Sequence, residues 1–115
     1  MHELSIALAI VDAASEEAER LGGISVCAIH VRLGGLAGIV KDALLSAFEL
    51  AREASPLQNS RLVVEDVPVI VYCDRCRAER PIDSVQSFRC SSCGSPPAEL
   101  ISGKELEISA LEIEE

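Results

Sequence analysis

The chain has no tryptophan, one tyrosine, two phenylalanines and two histidines among 115 residues. With aromatics at 3%, the core has to be assembled from Ala, Val, Ile and Leu, and a small core of that kind gains from a staple. Positive charge is also scarce: 10 Lys and Arg stand against 19 Asp and Glu, for a net charge of −9. Phosphate binding needs clustered cations, so this balance argues against nucleic acid and favours carrying cations or meeting a basic partner. No stretch approaches the roughly 18 consecutive apolar residues that a membrane span requires. Leu4 to Val11 is apolar and Ala13-Ala14-Ser15 imitates a cleavage site, but Glu3 precedes the run, no Lys or Arg does, and Asp12 interrupts it. The expectation is a soluble cytoplasmic protein with a mature N-terminus that retains Met1. It has one domain, or one small domain with a satellite too short to fold alone.

The periodicities give an ordered set of elements. Leu4, Ala7, Leu8, Val11, Ala14, Ala18 and Leu21 recur at spacings of three and four, which predicts a helix over about residues 4 to 21, ended by Gly22-Gly23. Residues 24 to 33 are β-branched on alternating positions and predict a strand covered on both sides, with Cys27, Ile29, Val31 and Leu33 on one face. A second helix is expected from about Val40 to Glu53, stopped at Ser55-Pro56. Arg61 to Val71 is β-rich, but Pro68 ends one strand near Val67. Lys104 to Ile113 alternates as a half-exposed strand with a phase slip at Ala110-Leu111.

Between the last two strands lie Cys73-Asp74-Arg75-Cys76 and Cys90-Ser91-Ser92-Cys93, two C-x2-C knuckles separated by thirteen residues. Each knuckle presents two thiolates, and four thiolates make a closed tetrahedral site of the structural zinc type. Gly94 supplies the turn after the second knuckle. The segment from about 69 to 103 has few apolar residues, chiefly Ile82, Val85, Phe88 and Leu100. Metal binding would supply its missing folding free energy, on the order of 10 kcal/mol. Disulfides do not fit a cytoplasmic chain with an odd number of cysteines, and neither knuckle opens a helix after a strand as a redox dithiol does. Iron fits the spacing as well as zinc. Cys27 and His30, both mid-strand, read as structural residues. Residues 73 to 93 hold four arginines against Asp74, Glu79 and Asp83 without an aromatic platform, which again argues against nucleic acid.

The chain starts Met1-His2-Glu3. A free Met1 amine, the His2 amide nitrogen and the His2 imidazole can close two fused rings on one metal ion. The Glu3 amide nitrogen or carboxylate would complete the site. Tetragonal nitrogen sites suit Ni(II) or Cu(II).

Taken together, Met1-His2-Glu3-Leu4-Ser5 opening a helix, the strand ending Arg32-Leu33-Gly34-Gly35-Leu36, Ser46-Ala47-Phe48-Glu49 in the second helix, and C-x2-C-x13-C-x2-C before a Glu-rich final strand resemble the HypA/HybF family of hydrogenase nickel incorporation proteins. The resemblance covers essentially the whole chain. It implies an α+β fold, two helices packed on a three-stranded mixed sheet, with a zinc-ribbon-like module inserted before the last strand. The implied domains are a nickel-binding part, residues 1–68 plus 104–115, and a zinc-binding part, residues 69–103. Nickel would be held by Met1, His2 and Glu3, and zinc by Cys73, Cys76, Cys90 and Cys93. Some relatives place an acidic residue near the start of the second helix that can also reach nickel, where this chain has Val40, and the nearby Asp42 is not given that role. The implied function is a nickel metallochaperone for [NiFe]-hydrogenase maturation, not an enzyme. Its implied partners are a nickel-handling GTPase and the hydrogenase large-subunit precursor, and the chain itself would be a monomer or weak homodimer. Two other classes compete: a zinc-ribbon adaptor that binds only protein, and a thiol oxidoreductase.

Overall fold

The computed structural model describes residues 2–114, and side chains from Glu3 onward. Its elements run α1 (His2–Arg20), β1 (Val26–Gly34), α2 (Lys41–Ala51), β2 (Arg61–Val67), β3 (Ile70–Cys73), β4 (Ala78–Pro81), β5 (Glu99–Ser102) and β6 (Leu106–Ile113). They form two three-stranded sheets, in the orders β2-β1-β6 and β4-β3-β5. In the first sheet, Ser109 Oγ donates to the His30 carbonyl and the Glu114 amide to the Ser25 carbonyl. The paired numbers run in opposite directions, so β6 lies antiparallel to β1. Ser60 Oγ donates to the Val26 carbonyl and the Gly35 amide to the Val67 carbonyl, so β2 runs parallel to β1. The sheet is therefore mixed, and α2 is the crossover a parallel pair needs.

Two compact units result. One comprises Met1–Arg32, Ile39–Glu65 and Glu107–Glu115, the other Leu33–Gly38 and Asp66–Leu106. The core of the first unit is Ala7, Ile10, Val11, Ala14 and Ala18 of α1, Val26, Ile29 and Val31 of β1, Leu44, Ala47 and Phe48 of α2, and Leu57. Phe48 is its one aromatic residue. The buried stripe on α1 is rotated from the one the sequence suggests. Ile10 joins it, while Leu4, Leu8 and Leu21 are exposed. Alanines at 7, 14 and 18 let α1 approach its neighbours closely, where a leucine would hold it off. On β1, Val26 turns to the core along with Ile29 and Val31, so the expected alternation starting at Cys27 breaks near its beginning.

α1 starts at His2 rather than near Leu4, with Glu3 in its first turn, where a carboxylate complements the positive helix end. Its exit follows the expected device. Gly22 and Gly23 have φ of 96° and 77°, and the Gly23 amide closes back on the Ala18 carbonyl at 2.9 Å. The strand break at Pro68 and the slip in β6 are both present: β2 ends at Val67, and Ile108 and Leu111 both pack on the core although three residues apart. In the second unit the buried hydrophobic side chains are Leu33, Val67, Val71, Cys73 and Cys90, while Val85 and Phe88, two of the few apolar residues of segment 69–103, are exposed. The cysteines are the centre of that unit.

Candidate metal centres

Cys73 ends β3, and its partner strand β4 resumes at Ala78, antiparallel, with Cys73 opposite Ala78. The intervening residues form a tight knuckle in which the Cys76 amide points at Cys73 Sγ (3.4 Å) and the Arg77 amide donates to the Cys73 carbonyl (2.7 Å). The second knuckle repeats the plan, with the Gly94 amide on the Cys90 carbonyl at 2.9 Å. In each, the residue after the second cysteine is left-handed: Gly94 at φ 74° and Arg77 at φ 55°. Gly94 was readable from sequence as that turn residue. Arg77 was not, because the position carries a side chain that ordinarily avoids this conformation.

The four sulfurs of Cys73, Cys76, Cys90 and Cys93 all lie within 4.8 Å of one another. Two of their separations are 3.5 Å (Cys73 to Cys93) and 3.8 Å (Cys76 to Cys90). A tetrahedron with metal–sulfur bonds of about 2.3 Å has edges of about 3.8 Å, so the donor set fits one tetrahedral ion. The protonation pattern agrees. The Ser95 hydroxyl and amide lower the Cys93 thiol to about 6, and the Cys93 amide lowers Cys90. Cys76 is pushed up to about 12, chiefly by its hydrogen bond to Cys93. Four sulfurs at this spacing cannot all ionise without a cation among them. They are the one metal-competent group of three or more such side chains among the described residues.

At the other candidate site, Met1 and the His2 side chain lie outside the described residues. Glu3 sits in the first turn of α1, where backbone amides have no intrahelical acceptor. Its carboxylate accepts the Val40 amide at 3.1 Å, and this bond above all holds Glu3 down to about 2. Position 40 is therefore beside Glu3, as the resemblance suggested, but it contributes a backbone donor and not a carboxylate. Val40 is the N-cap of α2 and makes no side-chain cap. Sequence reasoning missed this contact because valine carries no polar signal. Asp42 lies in the first turn of α2 and is exposed.

Cys27 and His30 have structural partners. Cys27 Sγ donates to the Glu112 carbonyl at 3.3 Å, and His30 Nε2 shares a 2.9 Å hydrogen bond with the Glu112 carboxylate, which Arg61 also meets at 3.1 Å.

Comparison with known proteins adds to this geometry. Residues 1–113 match the family described as "Hydrogenase/urease nickel incorporation, metallochaperone, hypA". The chain belongs to the HypA family. A HypA relative from Chloroflexus aggregans, named hydrogenase maturation factor HypA, is 46% identical over 97% of this chain and 98% of its own. One of the same name from Roseiflexus sp. is 43% identical over 100% of this chain and 94% of its own. Two solved HypA structures share the fold. The nickel metallochaperone HypA from Helicobacter pylori has a TM-score of 0.66 at 23% identity, covering 96% of both chains. A second structure, of HypA protein, has a TM-score of 0.71 at 24% identity, covering 98% of this chain and 96% of that one. The α+β architecture with a four-cysteine module is thus the fold of HypA proteins. No helix among the described residues is long and apolar enough to cross a membrane.

Proposed function

We propose that the chain is a nickel metallochaperone that delivers Ni(II) during maturation of [NiFe]-hydrogenase and is not an enzyme. The observation that carries this reading is the family match across residues 1–113 of a chain that begins Met1-His2-Glu3. Nickel is cargo, held by the Met1 amine, the His2 amide and imidazole, and Glu3. Zinc is resident, held by Cys73, Cys76, Cys90 and Cys93. Residues 1–68 with 104–115 form the nickel-binding part and residues 69–103 the zinc-binding part. A nickel-handling GTPase and the hydrogenase large-subunit precursor are its partners, met in the cytoplasm by a monomer or weak homodimer.

The two donor sets suit the two tasks. Buried sulfurs, with Cys73 and Cys90 fully enclosed, hold an ion without exchange. Zinc has no redox chemistry and accepts four thiolates in a closed tetrahedron. A terminal amine and an imidazole compete with protons, so they bind near neutral pH and release readily. The Val40 amide donates to the Glu3 carboxylate, and Glu3 completes the site with its backbone nitrogen or its carboxylate.

His2→Ala in untagged protein tests the reading. Calorimetry should show nickel binding lost, with one zinc per chain and the helical spectrum retained. Undiminished nickel affinity in the variant would reject it.

A further inference from the structure

Two leucines of α1 stay outside the core. Leu4 and Leu8 are each 46% exposed, and neither belongs to the hydrophobic cluster or to the partly buried residues packed on it. They stand four residues apart, so their side chains are neighbours on the helix surface. A single exposed leucine is ordinary, whereas two adjoining ones make an apolar patch.

The same face turns acidic further along the helix. At about 100° per residue, Leu4, Leu8, Asp12, Ser15 and Glu19 fall within about 80° of arc, and Glu16 lies about 40° beyond it. All of these are exposed except Ser15, which is half-buried. The helix carries Glu3, Asp12, Glu16, Glu17 and Glu19 against Arg20, its one arginine or lysine. Arg20 is taken up by Glu17 through three hydrogen bonds, of 2.8, 3.0 and 2.8 Å. No cation among the described residues pairs with Asp12, Glu16 or Glu19, so the negative charge on this side of the helix is uncompensated within the unit.

We propose that this face of α1 docks an amphipathic helix of another protein, with its apolar stripe on Leu4 and Leu8 and its Lys or Arg side chains on Asp12, Glu16 and Glu19. Helices that bind in this way use apolar anchors three and four residues apart, which matches the Leu4–Leu8 spacing. Leu4 to Glu19 extends over about 22 Å, so a partner helix of about 15 residues covers it. Charge decides among the occupants. A second copy of the chain laid alongside would set acid against acid if parallel, and acid against leucine if antiparallel. Nucleic acid and anionic bilayers carry the same sign as the face. A cationic amphipathic helix complements both its halves. The assignment stands whether or not the N-terminus binds nickel.

The test is a ¹⁵N NMR titration of the full chain, carrying its cysteine-bound metal and no nickel, with the peptide acetyl-AKKLLAALKKLLAKK-amide. Parallel arms use the same peptide with glutamate at every lysine, the same peptide with serine at every leucine, phosphatidylcholine vesicles, and dilution of the chain alone. The expected result is saturable shifts centred on the exposed residues of α1 from 4 to 19, given by the first peptide alone and weakened by added salt. Affinity should fall at least fivefold in both Leu8→Ser and Asp12→Lys, each with unchanged helical circular dichroism. It should be unchanged in Leu21→Ser, whose leucine is 49% exposed beyond the end of α1. Equal binding of the glutamate or serine peptide would overturn the proposal, as would an equal loss in Leu21→Ser. So would shifts absent at millimolar peptide or located elsewhere. Vesicle-dependent or dilution-dependent shifts at these residues would also overturn it, by making a lipid surface or a second copy of the chain the occupant.

Discussion

Glu3 and Val40 are thirty-seven positions apart in sequence, yet one hydrogen bond between them sets the chemistry at the start of α1. The carboxylate is lowered to about 2, first by the Val40 amide. A group lowered in the folded state stabilises it above the usual carboxylate range near 4.5, and that contribution disappears only as the pH falls towards 2. The Val40 amide resonance should therefore stay fixed as metal-free protein is acidified from neutral pH through 4.5. A midpoint in the ordinary carboxylate range would contradict the bond. Arg77 is the second residue whose backbone does unusual work. At φ 55° it occupies the place that Gly94 fills in the other knuckle. Arg77→Gly should stabilise the second unit by about 1 kcal/mol, read as a higher unfolding temperature, because glycine enters this region without a Cβ clash. A lower temperature would show that the Arg77 side chain contributes more than its backbone costs. Neither feature was legible beforehand: a valine and an arginine announce nothing about φ or about an amide donated to a distant carboxylate. The cysteine spacing was legible because covalent distance restricts which sulfurs can meet.

At the level of elements, turns and breakers were read more reliably than faces. Gly22-Gly23, Pro68 and the Ala110-Leu111 slip each impose a local backbone constraint, and each appears where expected. The face of α1 was misjudged because Leu4, Leu8 and Leu21 fit a helical stripe as well as Ile10 does, and the choice is made by what packs against the helix. Leu8→Ser should accordingly cost about 0.5 kcal/mol or less in denaturant unfolding, while Leu44→Ala, at a fully buried site, should cost roughly 2–5 kcal/mol. Comparable losses would restore the original stripe. Gly34, at the end of β1, is required for a different reason. A Cβ there would lie 2.1 Å from the Gly103 carbonyl oxygen, against rigid backbone. Gly34→Ala should destabilise the chain by at least about 2 kcal/mol. A neutral effect would mean that the crossing backbone yields.

The whole molecule divides its stability between two kinds of centre. One unit is held by an aliphatic core around Phe48, the other by four cysteines with Leu33, Val67 and Val71. Stripping the metal with a chelator at neutral pH should collapse the resonances of residues 69–103 while the helical circular dichroism of α1 and α2 persists. Loss of both together would mean that one metal organises the entire chain. The account rests most heavily on the proposal that the Met1 amine, His2 and Glu3 bind nickel. The direct measurement is a calorimetric nickel titration of the zinc-loaded chain beginning at Met1, set beside the same chain with one glycine added before Met1. The added residue turns the Met1 amine into an amide and leaves every cysteine untouched. The account predicts saturable one-to-one binding for the first protein and a large loss of affinity for the second. Equal affinities would contradict it.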